Sequence, residues 1–144
     1  MNRRSAIKVL FGGMVVLSSM LPLNALANFM GKLKADDAIN KITGGKHSES
    51  SSLKLKTPKL AENGTQVPVT VDATALTGVK SIFLLVHENI KPVAMRIDFE
   101  SDDVAAFASF RVKMGKPTKV TAIVQTSVGF VTASSNTKVT KGGC

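Results

Sequence analysis

Apolar and polar residues follow two different periods along this chain, and the change comes near residue 52. Within residues 29–43, "FMGKLKADDAINKIT", apolar side chains recur every three or four positions, which is typical of one face of an α-helix. These side chains are Ala35, Ala38, Ile39 and Ile42. Gly44 and Gly45 follow, and glycine commonly ends a helix because it adopts the left-handed conformation without strain. The pattern predicts a short N-terminal amphipathic helix that ends at these glycines.

The segment after this helix, "GKHSESSS", is polar and rich in serine, which predicts a loop or a loose linker. His47 lies in it, and we interpret this residue as a solvated loop histidine because no second metal ligand is near it in the sequence. From Leu53 onward the period becomes two, as in β-strands.

About seven stretches after Leu53 read as short strands, with turns every ~8–12 residues. They are "LKLK", "QVPVTVDA", "VKSIFLLVHEN", "KPVAMRIDF", "VAAFASFRVKM", "TKVTAIVQTS" and "GFVTASSNTKVT". "PKLAENG" predicts a turn after the first stretch, and the last two stretches connect near Val128 and Gly129. No helical pattern alternates with these strands, so the sequence does not favour a parallel α/β sheet. The sequence predicts an all-β protein, an antiparallel β-sandwich.

Two strands carry further information. Pro68 interrupts the valines of "VPVTVD", which predicts an edge strand or a bulge because proline has no N–H to donate. The stretch Ile82–Val86 is continuously apolar, as in a strand that is buried on both faces. Its apolar surface exceeds what one small core needs, which predicts that a partner protein packs against it.

The first 27 residues have the layout of an export signal. A basic start with Arg3 and Arg4 precedes an apolar run and a small-x-small site, so we expect cleavage after Ala27. The paired arginines in "NRRSAIK" resemble the twin-arginine signal, which exports folded proteins to the bacterial periplasm. A general secretory signal or an uncleaved anchor are the alternatives. The apolar run of about 15 residues is short for a membrane span, which needs ~20.

Cleavage would leave 117 residues, which is enough for one domain, and would lower the net charge from +9 to +6. The lysines are scattered and the chain has no Trp or Tyr to stack on bases, so a nucleic-acid partner is not expected. We interpret the lysines as a solvated surface that could also serve as an electrostatic docking face. No membrane contact is expected after the signal is removed.

Few catalytic or metal-binding groups are present. His47 and His87 are far apart in sequence, and together with one thiol they do not supply an evident metal site, so no metal or cofactor is expected. We interpret the acidic group near residue 100 as a charged strand end and turn. It consists of Asp98, Glu100, Asp102 and Asp103. The chain therefore resembles a binding or carrier module more than an enzyme.

The chemistry that stands out is at the end of the sequence, "KVTKGGC". Cys144 is the only cysteine, so a disulfide within the chain is impossible, and an exported unpaired cysteine points to an intermolecular bond or a reactive thiol. Gly142 and Gly143 have the widest backbone freedom, which predicts a hinge. At ~3.3–3.6 Å per residue, residues 141–144 reach somewhat over 10 Å. The pattern predicts a flexible arm that inserts a thiol into another protein.

Several stretches resemble the SoxY family, the sulfur-carrier subunits of the periplasmic Sox thiosulfate-oxidation system. They are "PKLAENGTQVPVTVDA", "VKSIFLLVHENIKPVAMRIDF", "KVTAIVQTSVGFVTAS" and "KVTKGGC". The resemblance implies an immunoglobulin-like sandwich, a heterodimer with a SoxZ-like sandwich subunit, and covalent attachment of sulfur intermediates to Cys144, with Gly142 and Gly143 as the hinge. The family's arm reads Gly-Gly-Cys-Gly, whereas the printed sequence stops at Cys144.

The resemblance also implies transient partners that do the chemistry. A SoxAX-like haem cytochrome would join thiosulfate to the thiol oxidatively, and a SoxB-like dimanganese hydrolase would then release sulfate. The carrier itself would be non-catalytic.

We therefore expect a signal at residues 1–27, a helix and linker at 28–52, a sandwich at 53–140 and an arm at 141–144. Two rival interpretations remain: a structural or adhesion-type sandwich that uses Cys144 for an intermolecular disulfide, and a metal-delivery protein.

Overall fold

The structure, a computed structural model, describes residues 34–140. The predicted signal at residues 1–27, the start of the predicted helix at residues 29–33 and the predicted arm at residues 141–144 lie outside the described residues. These three expectations therefore stay predictions.

The N-terminal helix, α1, spans Ala35–Thr43. It ends where the sequence predicts, because Gly44 adopts the left-handed conformation at φ 66° and its N–H bonds back to the carbonyl of Asn40. Ala35 and Ala38 are buried, so the apolar face of the predicted helix is the face that packs. The helix forms on this amphipathic pattern and is held by tertiary contact, since nine residues alone are too few for a stable helix.

Nine strands follow within the described part of the chain. They are β1 (Ser48–Glu49), β2 (Lys54–Lys56), β3 (Leu60–Ala61), β4 (Val67–Asp72), β5 (Val79–Val86), β6 (Val93–Asp98), β7 (Phe107–Val112), β8 (Thr118–Thr126) and β9 (Gly129–Val139). The turn between β8 and β9 is the predicted one, with Thr126 opposite Gly129 in the antiparallel register.

The strands form two sheets that pack face to face. The larger sheet has the order β1-β9-β8-β5-β6 with β3 added to β9, and the smaller has the order β2-β4-β7. Alternate residues of both sheets meet in one apolar core, in which Val69, Leu84 and Val120 have no exposed surface. The predicted all-β antiparallel sandwich is confirmed, although β1 and β3 join β9 in parallel.

Strand β5 is buried on both faces, as its continuous apolar sequence predicts. Ile82 and Leu84 point into the sandwich core, whereas Phe83 and Leu85 lie under α1 together with Ile123 of β8. The expectation that Ile82–Val86 offers spare apolar surface to a partner is therefore wrong. Helix α1 of the same chain covers it.

Three local predictions also differ from the structure. The polar segment after α1, predicted as a loop, contains β1, and the "PKLAENG" segment, predicted as a turn, contains β3. Pro68 lies in β4, the middle strand of the smaller sheet. However, β2 pairs only with Thr70–Asp72 of β4, so the β2 side of Pro68 is a local edge. The missing N–H of proline therefore costs no ladder hydrogen bond on that side.

Candidate functional site

Strand β9 leads directly to the predicted arm. It is the longest strand described, with 11 residues, and it pairs with β8 from Gly129 to Thr137. Thr137 pairs with Thr118, the first residue of β8, so β8 has no residue to pair with Lys138 and Val139, and the last residues of β9 need another partner to stay in place. The last residue that this second partner holds is the residue after which the predicted arm begins.

Strand β3 supplies this second partner. Leu60 pairs with Lys138 and Ala61 pairs with Val139 in parallel register. The Lys138 N–H donates to the Lys59 carbonyl at 2.9 Å, and the Thr140 N–H donates to the Ala61 carbonyl at 3.1 Å. The backbone is thus held through Thr140.

The side chain of Thr140 adds to this anchor. Its Oγ1 lies 3.4 Å from the carbonyl oxygens of both Ala61 and Glu62, so a single hydroxyl hydrogen is shared between two acceptors. The sequence signal for this anchor was present in the alternation of "KLA", but two residues are too few to predict a strand. Sequence reasoning therefore missed β3.

Three loops meet at the same end of the sandwich, which we call the arm end: residues 57–66, which include β3, residues 87–92, and residues 113–117, which lead into the first residues of β8. The Met114 N–H donates to the Gly64 carbonyl at 2.7 Å, which joins the first loop to the third. The Glu88 N–H donates to Oγ1 of Thr118 at 3.0 Å, and Nδ2 of Asn89 donates to the Lys113 carbonyl at 2.7 Å. The arm end is therefore a cross-linked platform around the last residues of β9.

His87 follows β5 directly and joins α1 to the larger sheet. Its Nε2 lies 2.9 Å from Oγ1 of Thr121, and its Nδ1 lies 4.0 Å from Oδ1 of Asp36 on α1. The side chain is 12% exposed, and this burial lowers the pKa of His87. The charge of Lys119 lowers the pKa further, whereas Asp36 and Glu88 oppose the shift. The fold therefore favours the neutral imidazole.

His47 is exposed between α1 and β1, as predicted, and its Nδ1 lies 3.3 Å from Oγ1 of Thr132. A cavity of about 180 Å³ is lined by His47 together with Asp36 and Thr121, whereas His87 lines a different cavity. Within residues 34–140 no group of three or more His, Cys, Asp and Glu side chains could hold a metal ion. The structure does not bring the two histidines into one site.

The acidic group near residue 100 is a strand end and turn, as interpreted from the sequence. Oδ1 of Asp98 accepts from Oγ of Ser81 at 2.6 Å and from Nε of Arg96 at 3.0 Å. The Ser81 hydroxyl bond and the Arg96 contact lower the pKa of Asp98. Asp102 lines an open cavity of about 530 Å³ at the end of the sandwich opposite the arm end. The group is remote from β9's last residues.

The predicted attachment residue, Cys144, and its predicted hinge, Gly142 and Gly143, follow the anchored Thr140 but lie outside the described residues. No helix within residues 34–140 is long and apolar enough to cross a membrane.

The fold and the anchored strand together define a class of protein. It is a small β-sandwich in which the last strand is held by a second strand, β3, shortly before Cys144. A family model described as sulfur oxidation protein SoxY matches residues 39–144, which include Cys144. The chain belongs to the SoxY family.

One solved structure agrees with this assignment. The chain is similar to the sulfur carrier protein SoxY from Chlorobium limicola f thiosulfatophilum, with 31% identity and a TM-score of 0.65, over 74% of this chain and 96% of that chain. A superoxide reductase (neelaredoxin) from Ignicoccus hospitalis is 18% identical with a TM-score of 0.54, over 60% and 79% of the two chains. At that identity the likeness concerns the fold alone. A search of curated protein sequences gave no match.

The lowered pKa of His87 predicts a pH-dependent stability. The unfolded chain binds a proton near the ordinary pKa of 6.5, before the folded chain does, so the free energy of unfolding should fall as the pH drops below that value. The loss should stop once the pH passes the lowered pKa. The carboxyl groups of Asp72 and Asp98 have pKa values below 3.8, so they titrate outside this window.

Urea unfolding between about pH 7.5 and about pH 5.5 measures this dependence. His87→Gln should flatten it, and His47→Gln, at the exposed imidazole, should leave it as in the parent chain. An unchanged pH dependence in the His87→Gln chain would contradict the assignment.

Proposed function

We propose that this chain is a periplasmic, non-catalytic sulfur carrier, which holds thiosulfate-derived groups covalently on Cys144 and presents them to partner enzymes during sulfur oxidation. Membership of the SoxY family supports a carrier role in sulfur oxidation. The anchored end of β9 is the observation that supports Cys144 as the attachment residue. The backbone is fixed at Thr140, and the only cysteine of the sequence follows four residues later.

Sulfur chemistry suits this position. A thiolate is both a nucleophile toward sulfur and a good leaving group from it, so a cysteine can accept a sulfur-containing group and release it again. Attachment of thiosulfate to the thiolate forms an S–S bond to the outer sulfur of thiosulfate and gives up two electrons, which a haem cytochrome partner of the SoxAX type would accept. Water then cleaves the bond to the sulfonate group at a SoxB-like dimanganese hydrolase, which leaves a persulfide on Cys144 and releases hydrogen sulfate.

In this proposal the anchored end of β9 sets the position of the arm, and the arm supplies the reach. Residues 141–144 span somewhat over 10 Å when extended, so the thiol can enter a partner's site while the sandwich stays outside. Gly142 and Gly143 widen the range of directions and keep the arm thin. A structural disulfide, the alternative function, would gain from rigidity instead.

Export by the twin-arginine route completes the proposal. Arg3 and Arg4, the short apolar run and the site after Ala27 support it. Because that route carries folded proteins, a partner without a signal of its own could leave the cytoplasm bound to this chain.

We propose a SoxZ-like sandwich as that partner. Helix α1 covers the outer face of the larger sheet, so the partner would not stack there. The edge strands β6 and β7 each pair on one side only, as the described strands β1, β2 and β3 also do. Because β2, at the other edge of the smaller sheet, contacts β9, β7 lies on the β6 side of the sandwich. Phe107 of β7 is 51% exposed at this side. An open edge with an exposed aromatic ring is a surface that a partner strand or sheet can cover.

The first prediction concerns attachment. Cys144→Ser should abolish thiosulfate-dependent mass additions in intact mass spectrometry, because a hydroxyl forms no S–S bond. Its free energy of unfolding should change by no more than about 0.5 kcal/mol, as for a surface change. In the parent chain, a thiol reductant should remove the added mass. Sulfur-containing adducts on the serine chain would disprove the proposal.

The second prediction concerns the hinge. The double change Gly142→Pro and Gly143→Pro should leave the thiol reactive toward small disulfide reagents but should slow sulfate release by the hydrolase, because proline fixes φ and stiffens the arm. The double change to serine is the matched control, and it should behave nearly as the parent chain does. Normal turnover of the diproline chain would mean that arm flexibility is unnecessary.

The third prediction concerns assembly. Co-expressed with the SoxZ-like partner, Phe107→Glu should weaken the heterodimer in size measurements, because a charge would be buried against the partner. Val128→Glu, at a turn side chain that is 94% exposed, should not, and neither should Cys144→Ser. If Phe107→Glu leaves the complex intact, the partner does not use this edge.

A further inference from the structure

Charge is unequally distributed between the two ends of the sandwich. At the arm end, the three loops, the first residues of β8 and the last residues of β9 carry exposed lysines and two exposed glutamates. The lysines are Lys59, Lys91, Lys113, Lys116, Lys119 and Lys138, and the glutamates are Glu62 and Glu88. Asp36, at the start of α1 beside His87, adds one more exposed carboxylate. The sequence hides this concentration, because the lysines are scattered over 80 positions and meet only through the strand order.

The opposite end has no such excess of positive charge. Its loops, residues 44–47, 73–78, 99–106 and 127–128, carry the exposed Glu100, Asp102 and Asp103 against Lys46, and the strand ends beside them add the exposed Lys54 and Lys80. Within residues 34–140 positive charge is therefore concentrated at the arm end, and we call this surface, which surrounds the root of the predicted arm, the positive pole.

Two exposed apolar side chains lie within the positive pole. Leu60 of β3 is 54% exposed, and its backbone pairs with Lys138 beside the root of the arm. Ile90, on the loop that is bonded to the Lys113 carbonyl through Asn89, is 97% exposed. Apolar side chains within a rim of charge are typical of a surface that another protein covers.

We propose that the arm end is a docking face for acidic protein surfaces that surround the active-site entrances of the enzymes acting on the arm. The inference rests on the proposed function, because it needs an arm that enters such sites. A positive pole attracts an acidic rim over a Debye length and turns the carrier so that the arm faces the entrance. Leu60 and Ile90 then bury apolar surface at short range.

Small anions are the other chemistry that lysines attract, but the surface favours a protein. The lysines stand on separate loops around the root, and the exposed Leu60 and Ile90 gain nothing from thiosulfate. A protein partner would engage the charges and both apolar side chains together.

The test uses the full chain, loaded with thiosulfate, as substrate for the purified hydrolase partner. The arm-end variant carries Lys59→Glu, Lys116→Glu and Lys138→Glu. The matched control carries Lys46→Glu, Lys54→Glu and Lys80→Glu, which are exposed lysines away from the arm end, so both variants change net charge equally. Melting curves establish that each variant is folded.

At about 20 mM salt the arm-end variant should lose tenfold or more in kcat/KM, since steering raises association rates by ~10–10³. The kcat/KM of the control should stay within about threefold of the parent value. The difference in kcat/KM between the parent and the arm-end variant should shrink toward about 300 mM salt, where screening is strong. Ile90→Ser should raise KM and leave the salt dependence unchanged. Equal losses in both charge variants, or no loss in the arm-end variant, would overturn the proposal.

Two further readouts separate the alternatives. If the parent chain takes up no adduct at Cys144, the proposed function fails; if all variants load and are hydrolysed alike, only the docking face fails. A small-anion role predicts that the arm-end variant slows the thiol's reaction with an anionic aromatic disulfide, but not with a neutral dipyridyl disulfide, while hydrolase kinetics stay unchanged. That combination would also overturn the proposal.

Discussion

The burial of β5 on both faces is the constraint from which the rest of the architecture follows. A strand that places Ile82 and Leu84 on one side and Phe83 and Leu85 on the other must be covered twice. The smaller sheet supplies one cover and α1 supplies the other. Because each buried Leu or Phe contributes roughly 1.5–3 kcal/mol, neither cover is dispensable in a domain of this size. The helix is thus part of the core and not an appendage.

Strand β9 connects this packed body to the root of the predicted arm. The strand is longer than its neighbour β8 can pair, and the surplus is held by β3 instead. Without β3 the backbone after Thr137 would lack the hydrogen bonds that now hold it as far as Thr140. The two residues of β3 contribute little burial, yet they fix the chain up to the residue after which the predicted arm begins.

The elements that a periodic pattern of apolar side chains specifies could be predicted from the sequence. The elements that exist only because their backbone pairs with a distant strand could not. The valines of β4, the two-sided β5 and the end of α1 at Gly44 follow from local patterns. Strands β1 and β3 have two residues each, and only β9, about 80 residues away, makes them strands. The cover over Phe83 was also missed, because the helix that provides it is remote in sequence. Cys144 could be singled out from the sequence, because it is the only cysteine and recognising this requires no knowledge of the fold.

The strand order also explains why the positive pole lies at the arm end. Antiparallel strands return their connecting loops alternately to two ends, so the lysines of three separate loops and of β9 gather at one end, while Glu100, Asp102 and Asp103 of the β6–β7 loop fall at the other. The same lysines present a face to acidic surroundings of an active site. A rigid body with this polarity can direct a short arm without making specific contacts to its cargo.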